Sequence, residues 1–212
     1  MYLYVLMPLL SYSLGAVPFG LIVCLLVKGV DIRECGSKNI GATNAGRVCG
    51  WPFFAAAFTL DFAKGLAPVL AGGAIIRMLQ ADANADALKI LYGSLAILGH
   101  TFPAYLRFKG GKAVATSFGV FVGLAPAAAL IAFGVWAVLV MAFRYVSLAS
   151  IVAAVCAPAV YAIQHRDDLG GHLPVLLFAV VIALFVVIRH RGNIRRLLSG
   201  TESRVPLRKK AG

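Results

Sequence analysis

The chain has 212 residues, of which 61% are hydrophobic and only 13% are charged. Soluble domains contain roughly 45–50% apolar and about 25% charged residues, so this composition excludes an ordinary soluble domain and indicates an integral membrane protein. The formal net charge of +12 would suggest nucleic acid binding in a soluble protein. Here the basic residues lie in short loops and at the C-terminus, which instead favours membrane topology first and an anionic ligand second, with no nucleic acid.

The apolar runs are long and do not alternate with polar residues, which predicts helices rather than the strands of a barrel. Residues 1–27 are uncharged and form the first predicted span, and the polar, glycine-rich segment 28–50 follows. Further apolar runs lie at 51–79, 88–106, 114–143, 147–163 and 171–188. We therefore predict an all-α integral membrane protein, a helical bundle in which residues 1–212 form a single domain.

The charges of the loops predict the topology, because loops rich in Lys and Arg stay in the cytoplasm. The basic regions placed there are 28–50, 107–112 and 189–210. The acidic segments placed outside are 80–87 and 165–168. The second and third basic regions share the cytoplasmic side, so an even number of crossings must lie between them. Counting the run 114–143 as one span gives three crossings, so we split this run near Gly123–Pro126 to give four. The prediction is about seven transmembrane segments, some short, with the N-terminus outside and the C-terminus cytoplasmic. Five crossings with one re-entrant run is the alternative.

The first polar motif is "GSKNIGATNAGR", which spans residues 36–47. Glycines allow backbone N–H groups to approach a ligand, hydroxyl and amide side chains supply directional hydrogen bonds, and arginine offers a fork that fits a phosphate. A flexible glycine-rich connector is the alternative interpretation. The residues predicted to act on a ligand are Gly36, Ser37, Asn39, Gly41, Thr43, Asn44 and Arg47.

The second motif is "RFKGGKAVAT", residues 107–116, in which Lys109 and Lys112 flank a glycine pair. It is not a Walker A loop, which needs another glycine earlier and Ser or Thr directly after the lysine. We predict that Gly110 and Gly111 present exposed amides to a phosphate. Thr116 follows in the first turn of a helix, whose N-terminus favours an anion. A basic membrane anchor with a glycine turn is the alternative.

The third motif is "RHRGNIRRLLSGTE", residues 189–202. If this segment is helical, His190 and Asn193 share one face at a spacing of three residues. Arg191 and Arg195 then point elsewhere, toward lipid headgroups. His190 is either an interfacial side chain or a partner for a phosphate or hydroxyl group.

Some polar residues lie within or beside the apolar runs. Asp61 and Lys64 are three residues apart in a predicted helix, and we favour a structural ion pair because charges at such depth are usually functional or mutually paired. For His100 we favour a hydrogen-bonded packing role. Ser147, in "RYVSLAS", is predicted to reach the cytoplasmic face with the polar motifs.

Six segments in this order resemble one family: "GSKNIGATN", "DFAKG", "GHTFP", "KGGKAVAT", "RYVSLAS" and "HRGNIRRLLSGTE". They are similar to the bacterial membrane glycerol-3-phosphate acyltransferases that use acyl phosphate as donor. The resemblance implies transfer of a fatty acyl group from acyl phosphate to position 1 of glycerol 3-phosphate, which gives lysophosphatidic acid and phosphate and begins phospholipid synthesis. It also implies the bacterial inner membrane and no metal or cofactor. The loop charges place the polar motifs, and with them the active site, on the cytoplasmic side, and no required protein partner is evident.

The resemblance implies roles for individual residues. Ser37 and Arg47 match essential positions, and Lys109, Gly110, Gly111 and Lys112 match the glycerol-3-phosphate loop. His190 and Asn193 match the third family motif, and Glu202 matches a residue important for integrity. The predicted catalytic residues are therefore Ser37, Arg47, Lys112, His190 and Asn193.

Three positions depart from the family pattern, since Lys38, Ala113 and Gly192 stand where Gly, Gly and Glu are usual. If position 38 needs a positive φ, lysine is strained there. For the reaction itself, either His190 or the phosphate of the donor accepts the proton, and we favour the phosphate. A transporter for an organic phosphate and a structural membrane scaffold are the rival functions, although no paired hydropathy repeats support the first.

Overall fold

The computed structural model describes residues 2–79 and 85–205, so most of the predicted acidic loop 80–87 lies outside the described residues. All regular secondary structure within these ranges is helical. The α-helices described are α1 (Tyr2–Ala16), α2 (Phe19–Lys28), α3 (Ala42–Cys49), α4 (Trp51–Leu79), α5 (Ala85–Thr101), α6 (Val114–Leu124), α7 (Pro126–Phe143), α8 (Val146–Gln164), α9 (Leu169–Arg189) and α10 (Arg191–Leu198). The predicted all-α class is therefore confirmed.

Four helices in the described part of the chain, α4, α7, α8 and α9, are long and apolar enough to cross a membrane. α1 and α2 are bent by 46° relative to each other and make a fifth span if they are counted together. α5 and α6 have only 17 and 11 residues, about 25 and 16 Å against a hydrocarbon core of about 30 Å. Length and composition thus support four to five spans. The count of seven, which includes these two short helices, and the orientation of the termini stay predictions.

The break between α6 and α7 lies where the loop charges predicted it. α6 ends at Leu124 and α7 begins at Pro126, a residue whose missing N–H costs nothing at the start of a helix. At its other end α7 stops at Arg144, whose carbonyl accepts a hydrogen bond of 2.9 Å from the Val205 N–H. α7 therefore returns the chain to the end of the bundle that holds the third motif.

α4 and α6 approach each other through glycine. A Cβ atom on Gly65 would overlap the carbonyl of Thr116, and one on Gly119 would overlap the carbonyl of Phe62. Small residues allow membrane helices to gain close packing, which takes the place of the hydrophobic effect in lipid. This contact fixes the wall of the bundle beside which the polar motifs assemble.

Asp61 and Lys64 of α4 form a buried pair, as the sequence predicted. Lys64 Nζ lies 2.7 Å from Asp61 Oδ1, with side-chain exposures of 1% and 2%. Lys64 also donates a hydrogen bond of 2.6 Å to the Val17 carbonyl, at the bend between α1 and α2. His100 Nδ1 lies 3.6 Å from Asp61 Oδ1. The ion pair thus joins α1, α4 and α5 beneath the polar motifs.

Candidate functional site

A cavity of about 560 Å³ lies where the three polar motifs meet, so motifs that the predicted topology placed on one side of the membrane come together in one site. The loop before α3 and α3 itself provide the first motif, the loop before α6 provides Lys112, and the junction of α9 with α10 provides the third motif. The predicted site residues that line the cavity are Gly36, Ser37, Asn39, Gly41, Thr43, Asn44, Asp61, Arg47, Lys112, Ser147, His190, Asn193 and Glu202. All five predicted catalytic residues are among them.

The side chain of Asn44 organises the first motif. Asn44 is 1% exposed, and its Oδ1 accepts a hydrogen bond of 2.8 Å from the Ser37 N–H. Its Nδ2 donates to the carbonyls of Ile32 and Asn39, at 2.8 and 2.9 Å. Because these bonds occupy the amide group, Asn44 presents Ser37 to the cavity. A direct contact of Asn44 with a ligand stays a prediction.

Two of the three departures from the family pattern lie at left-handed backbone positions. Lys38 has φ 56° and Ala113 has φ 57°. A Cβ atom is disfavoured in this region by roughly 1–2 kcal/mol. The condition under which lysine is strained at position 38, a positive φ, is therefore met, and Ala113 is in the same conformation directly after Lys112.

The glycine pair of the second motif does not present free amides, so that prediction is wrong. The Gly110 N–H donates to the Thr101 carbonyl and the Gly111 N–H to the His100 carbonyl, both at 3.1 Å. The physical reason is that the loop folds back onto the end of α5, where a Cβ atom on Gly111 would overlap the His100 ring. Arg189 Nη2 donates to the Gly111 carbonyl at 2.9 Å and ties the loop to α9. The glycines therefore dock the loop, and Lys112 is its cation in the cavity.

Four predicted ligand-binding residues of this segment do not line the cavity: Lys109, Gly110, Gly111 and Thr116. Lys109 is exposed at the surface, and Thr116 is fully buried with its backbone against α4. Contacts of these residues with a substrate stay predictions.

Glu202 links the cavity lysine to two helices. Lys112 Nζ donates to Asn193 Oδ1, and Asn193 Nδ2 donates to Glu202 Oε1 at 2.6 Å. Ser147 Oγ donates to the same oxygen at 2.8 Å, and Arg196 Nε donates to Glu202 Oε2 at 2.7 Å. Although burial opposes ionisation, these hydrogen bonds hold the pKa of Glu202 below its usual range. Glu202 is thus an anionic link among α8, α10 and the second motif, consistent with its predicted role in integrity.

Burial lowers the pKa of Lys112 from its ordinary value near 10.5 to about 8. The Glu202 carboxylate opposes this shift, whereas the nearby guanidinium groups of Arg196, Arg189 and Arg47 add to it. The ammonium group therefore begins to titrate just above neutral pH, in a site with an excess of positive charge.

His190 is held in one tautomer. Its Nδ1 lies 2.8 Å from the Val186 carbonyl, and because a carbonyl can only accept, Nδ1 carries the proton and Nε2 is the acceptor. Burial, followed by the charge of Lys112, lowers the pKa of His190 to about 4. The ring is therefore neutral at pH 7, suited to accept a hydrogen bond from a hydroxyl group but weak as a base.

Sequence reasoning missed some residues of the cavity wall. Arg196 lies three residues after Asn193 on α10, and this helical spacing was a signal that could have identified it. Lys38 also lines the cavity. The aromatic wall comes from three helices, α4, α6 and α7, and although its members are three or four residues apart within each helix, no spacing links one helix to the next: Phe54, Phe58, Phe118, Phe121, Phe133 and Trp136. Within residues 2–79 and 85–205, His, Cys, Asp and Glu form no group of three or more that could hold a metal ion.

Comparison with known proteins gives a consistent result. Residues 5–200 match the family described as Glycerol-3-phosphate acyltransferase. A glycerol-3-phosphate acyltransferase of Desulforudis audaxviator is 44% identical, over 94% of each chain, and one of Chlorobium phaeobacteroides is 39% identical, over 92% of this chain and 94% of its own. The fold matches the crystal structure of PlsY, an integral membrane glycerol 3-phosphate acyltransferase in its glycerol 3-phosphate form, with a TM-score of 0.83, 38% identity and 96% of each chain covered. The lysophosphatidic acid form of that protein gives a TM-score of 0.81, with 38% identity over 96% of this chain and 95% of that one.

Proposed function

The chain belongs to the glycerol-3-phosphate acyltransferase family and, as an integral membrane enzyme, acylates glycerol 3-phosphate to lysophosphatidic acid; we propose that its acyl donor is acyl phosphate and that position 1 is the hydroxyl acylated. The observation that carries this proposal is the composition of the cavity. Lys38, Arg47, Lys112 and Arg196 line one end of it, and aromatic and alanine side chains line the rest. The cationic end suits two phosphate groups, and the apolar remainder of the cavity suits one fatty acyl chain.

In the proposed reaction the oxygen of the glycerol hydroxyl attacks the acyl carbonyl carbon. The new ester C–O bond forms as the bond from the acyl carbon to the phosphate oxygen breaks, and phosphate leaves with the electron pair. Arg47 and Lys112 hold the two phosphates close and in line, which is catalysis by proximity. Ser37 donates a hydrogen bond to the oxyanion that develops on the carbonyl.

The proton of the attacking hydroxyl passes to the departing phosphate. An activated mixed anhydride needs little base assistance, and a neutral His190 with a pKa of about 4 is a poor proton acceptor at pH 7. His190 instead accepts a hydrogen bond at Nε2 and orients the substrate hydroxyl. Asn193 holds Lys112 in place through its side-chain oxygen.

The test is purified protein with glycerol 3-phosphate and palmitoyl phosphate, assayed for release of phosphate and formation of lysophosphatidic acid. Palmitoyl coenzyme A and palmitoyl acyl carrier protein serve as competing donors. Of the three donors, we expect only acyl phosphate to support activity. Arg47→Ala should lose this activity, whereas Arg191→Ala, which alters an exposed arginine at the same end of the bundle, should keep it near normal. Turnover with palmitoyl coenzyme A at an equal rate would refute the proposed donor.

We also propose that the cavity opens to the cytoplasm of a bacterial inner membrane. Cys35 is an exposed thiol beside Ser37. A maleimide that cannot cross membranes should label Cys35 in inverted vesicles and not in intact spheroplasts. A cysteine introduced at Asp167, which is at the other end of α8, should give the opposite pattern. Labelling of Cys35 from outside would reverse the proposed orientation.

A further inference from the structure

The cavity continues from its polar mouth into the bundle between α6, α7, α8 and α9. Val146 and His190 line its mouth, and Ala157 and Ala179, each 11 residues away on the same α8 and α9 segments, line its deep end. At a rise of 1.5 Å per residue this depth is about 16 Å. It corresponds to half of a hydrocarbon core of about 30 Å, the thickness that the acyl chains of one leaflet fill.

Protein closes the deep end. Ala129, Ala157 and Ala179 are at most 9% exposed, so lipid does not reach them from outside. The rings of Phe121 and Phe178 stack there with their centroids 6.3 Å apart, and Phe178 is also buried. An acyl chain that enters from the mouth therefore meets a wall, and the alanine side chains determine how far it can go.

A second feature of the same wall points to a ligand. Ser117 is 7% exposed and lines the cavity one helical turn below Ala113, yet its Oγ has no hydrogen-bond partner among the described residues. A buried hydroxyl group without a partner is costly and needs an explanation. An acyl donor has a carbonyl between its phosphate and its chain. With the phosphate at Lys112, that carbonyl reaches the depth of Ser117 and the chain continues toward Phe121.

We propose that this closed end measures the acyl chain, so that Ala157 and Ala179 set the longest fatty acyl group transferred while Ser117 fixes the position of the carbonyl. The inference rests on the proposed function, because it takes the acyl phosphate as the occupant. With the carbonyl fixed, a larger side chain at position 157 removes the space of the terminal methylenes. Each methylene that loses its place costs about fourfold in binding.

The test compares wild type with Ala157→Phe across octanoyl, dodecanoyl, palmitoyl and stearoyl phosphate. The matched control is Ala159→Phe, the same change two residues along α8 on its exposed face. We expect Ala157→Phe to lose on the order of 50-fold in kcat/KM with palmitoyl phosphate and little with octanoyl phosphate. The control should keep the wild-type preference. An equal loss of Ala157→Phe at every chain length, or the same shift in the control, would overturn the inference.

Two further variants keep the inference testable if Ala157→Phe does not fold. Ala157→Val should shift the preference toward shorter chains by a smaller amount, whereas Phe121→Ala should shift it toward stearoyl phosphate. Unchanged preference in both variants would refute the inference. If wild type uses no acyl phosphate of any length, the proposed donor is wrong, and the same series with the donor that wild type does use decides whether the deep end measures the chain.

Discussion

The activity of the enzyme should fall at alkaline pH, because Lys112 loses its charge there. Its pKa of about 8 lies below the ordinary lysine value, so the charged form is present below that pH and is lost as the pH rises. From pH 7 to pH 9 the charged fraction falls from roughly 90% to roughly 10%. If the ammonium must bind a substrate phosphate, kcat/KM for glycerol 3-phosphate falls by about tenfold over this range.

The measurement is a pH profile of phosphate release at low glycerol 3-phosphate and constant ionic strength, corrected for hydrolysis of the donor without enzyme. Bound phosphates stabilise the ammonium group, so the limit in kcat should lie at higher pH than the limit in kcat/KM. Lys112→Arg is the control, because arginine stays charged throughout. We expect this variant, even if slower, to lack the alkaline limit. A limit near pH 8 that persists in Lys112→Arg would refute the assignment.

The other predictions concern backbone strain, His190 and the buried pair. Lys38→Gly should raise the melting temperature in detergent by about 1–4 °C, because relief of strain outweighs the added entropy of the unfolded chain. The control Ala115→Gly, within α6, should lower the melting temperature, and the same shift in both variants would contradict the reasoning. His190→Gln should leave the shape of the profile of activity against pH unchanged between pH 5.5 and 7.5, because the native ring is already neutral there. This range covers roughly one unit either side of an ordinary histidine pKa, and loss of an acidic limit near pH 6.5 in the variant would contradict the prediction. Asp61→Asn should lower the free energy of unfolding by about 3–5 kcal/mol, measured by thermal unfolding, because it leaves Lys64 buried without a counterion. The double variant with Lys64→Met should recover part of this loss, and no recovery would argue against the ion pair as the cause.

Much of the fold could be predicted because lipid restricts the options of the backbone. The long apolar runs determined the helices, and the loop charges predicted a split near Gly123–Pro126, which the structure places between Leu124 and Pro126. The bend between α1 and α2 was not predicted, although it lies at Pro18, and a proline inside an apolar run is a signal for a helix break. What the sequence pattern does not reveal is the donor for the Val17 carbonyl at this break, because Lys64 lies far along the chain from it.

The candidate site could be predicted as a set of residues but less well as a set of roles. Arg47, Lys112 and His190 do line one cavity, because charged and polar side chains have few other places in a membrane protein. The glycine pair 110–111 was misinterpreted, since glycine permits both a phosphate contact and close backbone packing. Here the carbonyls at the end of α5 accept hydrogen bonds from the glycine N–H groups and so decide for close packing. The sequence pattern does not reveal this contact.

The hydrogen bond from Lys64 to Val17 has a consequence for how this sequence can vary. An interrupted helix inside lipid exposes carbonyls that water cannot reach, and each needs a donor from elsewhere in the protein. Here the interruption, its lysine donor and the aspartate that pairs with that lysine form one structural unit. Straightening the first helix would leave Lys64 with Asp61 but without the Val17 carbonyl, and losing the lysine would leave that carbonyl without this donor, so substitutions at these positions should be tolerated better together than singly.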